Sequence, residues 1–374
     1  MRNREIRSIL RRFEELRSAG EPCALATVIS VRGSAYRRPG ARMLFSRKGR
    51  EAGFVSAACL EADVYEKVKE VIVSQKPVLV SYDTTAPEDA IFGIGQGCAG
   101  FLEILIEPVP AQQNSPFLQI LQTTSELHES CAIATVYRSS GPDCETVGMK
   151  FLRKSNGENT SLFVHEELQT KILFDVEQAL RDGCSMAREY IAAESSAAVF
   201  IEICQPPLQM VVFGATPDVR PLVRLAAGLG WSVMVVDHRA AYAVKSDFPE
   251  ADTVCLLSPD EYASRLRLTP ETYAVIMIHQ FVAEAKTLQF LLSSGIRYIG
   301  LLGPKSKCEL LLQHLAAEGY SPTSEQVATL HSPVGLDLGA ETSEEIALSI
   351  AAEILTIAKN RKPGFLRDRQ GAIH

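Results

Sequence analysis

The sequence MVVFGATPDVRPLVRLAAGLGWSVMVVD, residues 210–237, decides the fold of the second half of the chain. Two apolar runs, Met210–Phe213 and Ser232–Val236, have the composition of buried strands, and a helical stretch separates them. A strand, a helix and a second strand in this order indicate a parallel βαβ unit. The second strand ends on Asp237, where dinucleotide-binding folds place a ribose-binding acid, so the segment is typical of a Rossmann unit.

Strand and helix signals continue to alternate after the Pro206–Pro207 pair. Such alternation predicts a parallel sheet covered by helices. Near the end, Thr342 and Glu345 form a capping box, which predicts the start of a last amphipathic helix. The predicted strands, each followed by a helical segment, are Gln209–Gly214, Ser232–Val236, Thr253–Leu257, Ala274–Ile278 and Arg297–Leu301.

The first half of the chain is richer in strands and lacks this regular alternation. Residues 6–16 have apolar side chains at helical spacing, residues 23–31 form a β-branched run, and residues 60–74 have an apolar helical face. We therefore expect an N-terminal α+β domain over residues 1–204, followed by a Rossmann-like parallel-sheet domain over residues 208–374. Together they make an α/β protein.

Composition narrows the classes of partner. The 374 residues have a formal net charge of -7 at pH 7, so the chain lacks the basic field that a nucleic-acid partner requires. Nine cysteines without a CxxC pair predict free thiols in a reducing cytoplasm. No apolar run reaches the roughly 18 residues of a membrane helix. We expect a cytoplasmic protein without a membrane partner, and base rates favour a homodimer.

The phosphate-binding fingerprint of the Rossmann unit is incomplete. Where GxGxxG is expected, residues 214–219 read GATPDV. Thr216 adds a side chain where the backbone should approach a pyrophosphate, and Asp218 adds a like charge. Two interpretations follow: Gly214 and Asp237 bind NAD(P) in an oxidoreductase, or the unit is a packed core without a nucleotide. Other polar candidates at the same sheet edge are His238, His279 and the turn 300–304.

Two cysteines lie at junctions between predicted elements. Cys98 lies in the glycine-rich run GIGQGCAG, residues 93–100, whose Gly95, Gly97 and Gly100 can leave backbone amides free to face an anion. Cys59 lies where a strand-like run gives way to a helix, and a helix N-terminus lowers a thiol pKa. The two thiols are candidate ligands of one pocket, although a buried structural cysteine is the commoner case.

An arginine-rich turn, GSAYRRPGAR, occupies residues 33–42. Arg37, Arg38 and Arg42 can make bidentate contacts with a phosphate, whereas the ordinary alternative is a solvated charged turn. The chain has no GxSxG, HExxH or GxxxxGK[ST] motif. These features predict binding of a reactive anionic compound, without a catalytic set of residues.

Several motifs are similar to those of the XdhC/CoxI family of xanthine dehydrogenase accessory proteins. The resemblance follows the chain in order and covers most of it, except about 108–195. The matching motifs are GSAYRRPGARM at 33–43, CLEADV at 59–64, YD at 82–83, GQGCAG at 95–100, VVDHR at 235–239, YIGLLGP at 298–304, HSPVGLDLGAETSEEIALSIAAEI at 331–354 and LRDRQGAIH at 366–374.

The resemblance implies a chaperone that binds the molybdenum cofactor, a molybdopterin, protects its sulfurated form and delivers it to a molybdenum hydroxylase. Implied partners are the cofactor-binding subunit of xanthine dehydrogenase and a cysteine desulfurase. Carried over by motif, Cys59 and Cys98 would lie near the molybdenum, and the three arginines would face the phosphate. A scaffold that only docks the dehydrogenase is a further interpretation.

The chain departs from the family pattern at a few positions. Ala57 and Ala58 stand where two glycines are usual before the first cysteine, and Ala99 replaces a glycine beside the second. In the second half, Thr216 replaces a common glycine and Gln280 a common asparagine. These departures weaken the case for a nucleotide more than the case for the thiol site.

Overall fold

The chain folds into two compact units, Arg2–Pro206 and Pro207–His374. The computed structural model describes residues 2–33, 37–56, 60–83, 100–109, 116–126, 129–141, 146–163, 166–192 and 195–370.

The amino-terminal unit begins with a helix and a five-stranded antiparallel sheet, the first sheet. Its strand order is β3-β2-β1-β5-β4, so β1 lies at the centre. A second helix follows the first three strands. The elements are α1 (Arg2–Ser18), β1 (Cys23–Gly33), β2 (Arg42–Ser46), β3 (Gly49–Gly53), α2 (Glu61–Ser74), β4 (Val78–Asp83) and β5 (Gly100–Val109).

A second antiparallel sheet of five strands completes the unit, in the order β8-β7-β6-β10-β9. For this part of the chain the sequence predicts strands at 132–137, 148–152 and 197–204 and a helix near 175–182. Strands β6, β7 and β10 confirm the first three predictions, whereas α4 begins well before the predicted helix, and α3 and β9 were not predicted. The elements are α3 (Pro116–Glu126), β6 (Cys131–Ser140), β7 (Lys150–Lys154), β8 (Asn159–Ser161), α4 (Glu166–Asp182), β9 (Met186–Ala192) and β10 (Ser195–Cys204).

Apolar side chains of the amino-terminal unit form separate cores and two clusters that both sheets share, the larger of which we name the shared core. The α2 residues Val64, Val68 and Val71 are fully buried against the first sheet, and Ile172 and Val176 of α4 are fully buried against the second. The shared core contains side chains from α1, α3 and both sheets. Both sheets therefore belong to one hydrophobic body rather than to two independent ones.

The carboxyl-terminal unit is a six-stranded parallel sheet with helices, which confirms the Rossmann-like fold. The strand order is β13-β12-β11-β14-β15-β16. The elements are β11 (Gln209–Phe213), α5 (Arg220–Gly228), β12 (Ser232–Asp237), β13 (Thr253–Leu256), α6 (Tyr262–Arg265), β14 (Thr272–Ile276), α7 (Phe281–Leu292), β15 (Tyr298–Leu301), α8 (Lys305–Ala317), α9 (Ser324–Ala328), β16 (Leu330–His331) and α10 (Ser343–Ala358).

Two connections differ from the prediction, and the predicted cap of the last helix is confirmed. The segment between β12 and β13 contains only a 3-10 turn, Lys245–Asp247, because Pro249 interrupts any longer helix. The short strand β16 pairs with β15 and adds a sixth strand to the five that the sequence predicts. At α10 the Thr342 side chain accepts from the Glu345 amide, as predicted. None of the described helices combines the length and hydropathy needed to cross a bilayer.

Gly214 allows two strands of the parallel sheet to approach each other. Its φ is +116°, and a Cβ at this position would lie 2.4 Å from the carbonyl oxygen of Met277. Its amide donates to the carbonyl of Val236 at 2.8 Å. The fold itself therefore requires a glycine here, whether or not a ligand binds.

We expect Gly214→Ala to lower the free energy of unfolding of this unit by about 3 kcal/mol, because the new methyl group meets backbone atoms that cannot move aside. Gly295→Ala is the matched control. Gly295 also has positive φ, +74°, but open space around it, so the cost should be about 1 kcal/mol. Denaturant unfolding followed by fluorescence of the single tryptophan, Trp231, measures both. Equal losses would contradict the steric explanation.

Candidate functional site

One edge of the first sheet collects the segments that contain the predicted ligands. Here β1 ends at Gly33, β3 at Gly53 and β4 at Asp83, while β2 begins at Arg42 and β5 at Gly100. Gly33 pairs with Gly100, and Asp83 pairs with the next residue of β5. Arg42 faces Thr27 and Gly53 faces Met43, so the ends of β2 and β3 lie at the same edge but nearer to Thr27 than to Gly33. We name these strand ends the loop edge.

Three chain segments leave the loop edge, and each contains predicted ligands. The arginine-rich turn joins β1 to β2, the segment with Cys59 joins β3 to α2, and the segment with Gly95, Gly97 and Cys98 joins β4 to β5. Cys59, Gly95, Gly97 and Cys98 themselves lie outside the described residues. Their convergence on one pocket therefore stays a prediction, which the common origin of the three segments supports.

The structure distinguishes Arg37 from Arg38. The Arg37 guanidinium forms an ion pair with Glu5 and lies over the ring of Phe54, 4.0 Å from its centroid. Arg38 is exposed, and the described part of the chain offers it no ion pair. Arg38 is therefore the guanidinium of this turn with capacity to bind a solvent-borne anion.

Arg42 occupies a different environment. Its side chain is 4% exposed and makes a bidentate ion pair with Glu202, whose side chain is 2% exposed. Burial alone would lower the Arg42 pKa, but the charge and hydrogen bonds of Glu202 outweigh it, so the pKa is raised. Because the Arg42 guanidinium is buried and paired with Glu202, we do not retain Arg42 as a phosphate ligand.

Two acids that follow Cys59 are already engaged. Glu61 at the start of α2 pairs with Arg50 at 2.7 Å, and the Tyr82 hydroxyl donates to Asp63 at 2.7 Å. Burial, and then the hydrogen bond to Asp63, raise the pKa of Tyr82. The negative charges of Glu61 and Asp63 counteract the positive end of the α2 helix dipole, which on the sequence argument favours the thiolate form of Cys59. Their pairing reduces that opposition, and the YD motif is the sequence signal that could have indicated it.

Asp237 at the end of β12 is 1% exposed, and its carboxylate is saturated with internal donors. It accepts from the Ala215 amide at 2.8 Å and from the Arg239 amide, Nε and Nη2 at 2.9, 2.9 and 2.7 Å. A carboxylate has about four acceptor positions, so a ribose diol would have to displace Arg239. The predicted ligand roles of Gly214 and Asp237 stay predictions, while their internal contacts account for both residue types.

Polar side chains meet where the strand order of the parallel sheet reverses, between β11 and β14. The His279 Nε2 lies 3.3 Å from an oxygen of Asp218, and the His238 Nε2 lies 2.9 Å from the Gln280 side-chain oxygen. Within the described residues, no group of three or more His, Cys, Asp or Glu side chains could hold a metal ion. These two contacts join neighbouring loops of the sheet.

Comparisons with known proteins agree with this two-part organisation. Residues 16–83 match the model described as the XdhC and CoxI family, and residues 210–354 match the XdhC Rossmann domain. A Bacillus subtilis protein named as a probable xanthine dehydrogenase subunit is 32% identical to the chain, over 91% of this chain and 94% of that one.

Two further relatives extend the comparison. The molybdenum cofactor insertion chaperone PaoD of Escherichia coli is 22% identical over 94% of this chain and 88% of its own. A crystal structure described as a xanthine dehydrogenase from Bacillus halodurans superposes with a TM-score of 0.75 at 30% identity, covering 95% of this chain and 97% of that one.

We expect Asp237→Asn to destabilise the carboxyl-terminal unit by about 2 kcal/mol at pH 7, because the amide loses charge-assisted bonds with Arg239. Burial would raise the Asp237 pKa, but the Arg239 and Ala215 hydrogen bonds lower it overall. A lowered pKa stabilises the fold above the ordinary aspartate value of about 3.9, and this contribution is lost as the pH falls further. The difference between wild type and variant should therefore shrink toward pH 3.

Trp231 fluorescence in denaturant titrations between pH 7 and pH 3 measures this difference. Asp260→Asn, at a carboxylate whose side chain is 75% exposed, is the control and should change stability little at any pH. A pH-independent loss in Asp237→Asn would contradict the proposed role of its charge.

Proposed function

Because the chain belongs to the XdhC and CoxI family, we propose that it is a molybdenum cofactor chaperone that binds the cofactor at the loop edge and passes it to a molybdenum hydroxylase. The cargo is a pterin with a dithiolene and a phosphate. Two relatives align with most of the chain. One is named as a molybdenum cofactor insertion chaperone and the other as a probable xanthine dehydrogenase subunit. Both names support this class of function.

The observation that carries the proposal is the common origin of three segments at one sheet edge. Antiparallel pairing brings Gly33, Asp83 and Gly100 together, so the arginine turn and the segment with Cys98 start close to one another. The segment with Cys59 starts at Gly53, beside the end of the arginine turn at Arg42. A thiolate is a soft ligand that suits molybdenum or its terminal sulfur, and a guanidinium matches a phosphate. The pocket would thus combine two different recognition chemistries.

Within this pocket we assign separate roles to the residues. Cys59 and Cys98 would face the molybdenum end of the cofactor, and Gly95 and Gly97 would leave amides free for its anionic groups. Gly100 begins β5 and pairs with Gly33, so it fixes the exit of the glycine-rich segment. Arg38 is the proposed phosphate contact, and Arg37 supports the turn through Glu5 and Phe54.

The finer steps of the proposal concern protection and delivery. The bound cofactor would be held in its sulfurated form away from water and oxidants. A cysteine desulfurase would supply the sulfur, and the cofactor-binding subunit of xanthine dehydrogenase or a related enzyme would receive the cargo. In this role the chain binds, shields and releases, and needs no catalytic residue of its own.

The thiol part of the proposal predicts a loss of binding when either cysteine is removed. Cys59→Ala and Cys98→Ala should each weaken binding of the molybdenum cofactor about tenfold or more, which corresponds to at least ~1.4 kcal/mol. Protein expressed and purified without oxygen is assayed for the fluorescent pterin released on oxidation. Cys184→Ala, at an exposed cysteine of the same unit, is the matched control. Full retention by both site variants would refute the thiol roles.

The phosphate part predicts a graded response at Arg38. Arg38→Ala should weaken cofactor binding about tenfold, since a hydrogen bond to a charged group contributes ~1.5–3 kcal/mol. Arg38→Lys keeps the charge but loses the bidentate geometry, so its effect should be intermediate. Arg297→Ala, at an exposed arginine of the other unit, should bind like wild type. Anaerobic titration of the purified apo-protein measures each affinity, and equal affinities for all four proteins would exclude Arg38.

A further inference from the structure

The amino-terminal unit repeats one topology twice. Residues 2–109 run helix, three strands, helix, two strands, and residues 116–204 follow the same order. The sheets also share their strand order, since β3-β2-β1-β5-β4 corresponds position by position to β8-β7-β6-β10-β9. We name residues 2–109 the first repeat and residues 116–204 the second repeat.

The pairing registers agree residue by residue between the repeats. The central strands begin CALATV at Cys23 and CAIATV at Cys131. Cys23 pairs with Val109 in the first repeat, and Cys131 pairs with Cys204 in the second. Both central strands break register after the CALATV or CAIATV run, beside Ile29 and Tyr137. Such agreement extends the likeness from topology to individual positions.

The repeats differ in the segments that leave the loop edge. In the first repeat the link between β4 and β5 spans residues 84–99, whereas β9 and β10 are joined by residues 193–194 alone. The segment before α2 is also longer than the one before α4, at residues 54–60 against 162–165. The cysteine- and glycine-bearing insertions therefore belong to the first repeat.

Two buried ion pairs join the repeats reciprocally. Arg42 of β2 pairs with Glu202 of β10, and Lys150 of β7 pairs with Glu107 of β5 at 2.9 Å. These positions are equivalent, because Thr27 faces Arg42 in the first sheet and Thr135 faces Lys150 in the second. The cation of each repeat is thus paired with a carboxylate of the other repeat.

The two cations belong to different repeats, and only the first repeat contains the arginine-rich turn. Arg42 Nη1 also donates to the carbonyl oxygen of Gly40 at 2.9 Å, which lies in that turn. Gly40 has φ +90°, and its amide donates to Val28. The Arg42 guanidinium can donate in several directions at once, so it connects Glu202 of the second repeat to the arginine-rich turn of the first.

Building on the function proposed above, we propose that Glu202 is a positioning residue for cofactor binding. It orients the Arg42 guanidinium, which fixes the Gly40 carbonyl and so the turn that presents Arg38. The second repeat, without long insertions at the corresponding edge, supplies the rigid base on which the ligand-bearing segments of the first repeat are held. Glu107, its equivalent in the other pair, orients Lys150 of the second repeat, which lies outside the arginine-rich turn.

The test compares equivalent substitutions in the first and second repeats. Glu202→Gln and Glu107→Gln each break one of the equivalent buried pairs and should lower stability by similar amounts. Amide hydrogen exchange in residues 37–42 should be at least about tenfold faster in Glu202→Gln than in Glu107→Gln. Glu202→Gln should also weaken cofactor binding about tenfold. The affinity of Glu107→Gln should stay within about twofold of that of wild type when the variants are compared at an equal fraction of folded protein.

Arg42→Lys is the second variant, and the lysine that occupies the equivalent position 150 shows that this frame accepts it. A lysine keeps the charge beside Glu202 but cannot reproduce the bidentate pair together with the Gly40 bond, so exchange in the turn should again increase. Unchanged exchange in both Glu202→Gln and Arg42→Lys, or equal effects of Glu202→Gln and Glu107→Gln, would overturn the proposal. Hydrogen exchange needs no cofactor, so absence of binding by wild type would refute the proposed function separately.

Discussion

The amino-terminal unit depends on two ion pairs that are buried between its repeats. Removing a guanidinium and a carboxylate from water is costly, and only close contact in a low dielectric offsets the cost. Arg42 and Glu202 meet this condition. The Lys150–Glu107 contact is also close, but burial outweighs it and lowers the Lys150 pKa below its ordinary value. Each charge finds its partner only when both sheets are in register. The pairs therefore specify how the repeats combine, while burial of apolar side chains in the shared and separate cores supplies the main driving force for folding.

In the carboxyl-terminal unit, residues that resemble nucleotide ligands are used by the fold itself. Gly214 lets β11 and β14 approach, and the Asp237 carboxylate ties the segment after β11 to the segment after β12. Both positions follow from the geometry of a parallel sheet, whose strand ends crowd together at one edge. A glycine and an acid at these places thus indicate the fold more strongly than they indicate a dinucleotide.

The sequence predicted the regular elements well where local signals agree. The β-branched runs of the parallel sheet and the Thr342–Glu345 cap are such cases, because pattern and propensity point to the same structure. The role of Arg42 could not be predicted, since its partner Glu202 is distant in the chain and the turn motif suggested a surface group. The repeat was visible as CALATV and CAIATV, but two short runs become convincing only with the strand registers. The positions of Cys59 and Cys98 remain predictions.

A duplicated frame with insertions on one side suits a protein that must hold a fragile ligand. Long segments rich in glycine lose much conformational entropy when they are ordered, so they need a base that does not move with them. The second repeat provides such a base through β10, where Glu202 is buried and faces Arg42, while Ile201 and Ile203 point to the opposite face and pack in the core with α4. In the function proposed above, the Arg42–Glu202 pair would thereby hold the arginine-rich turn in a fixed position.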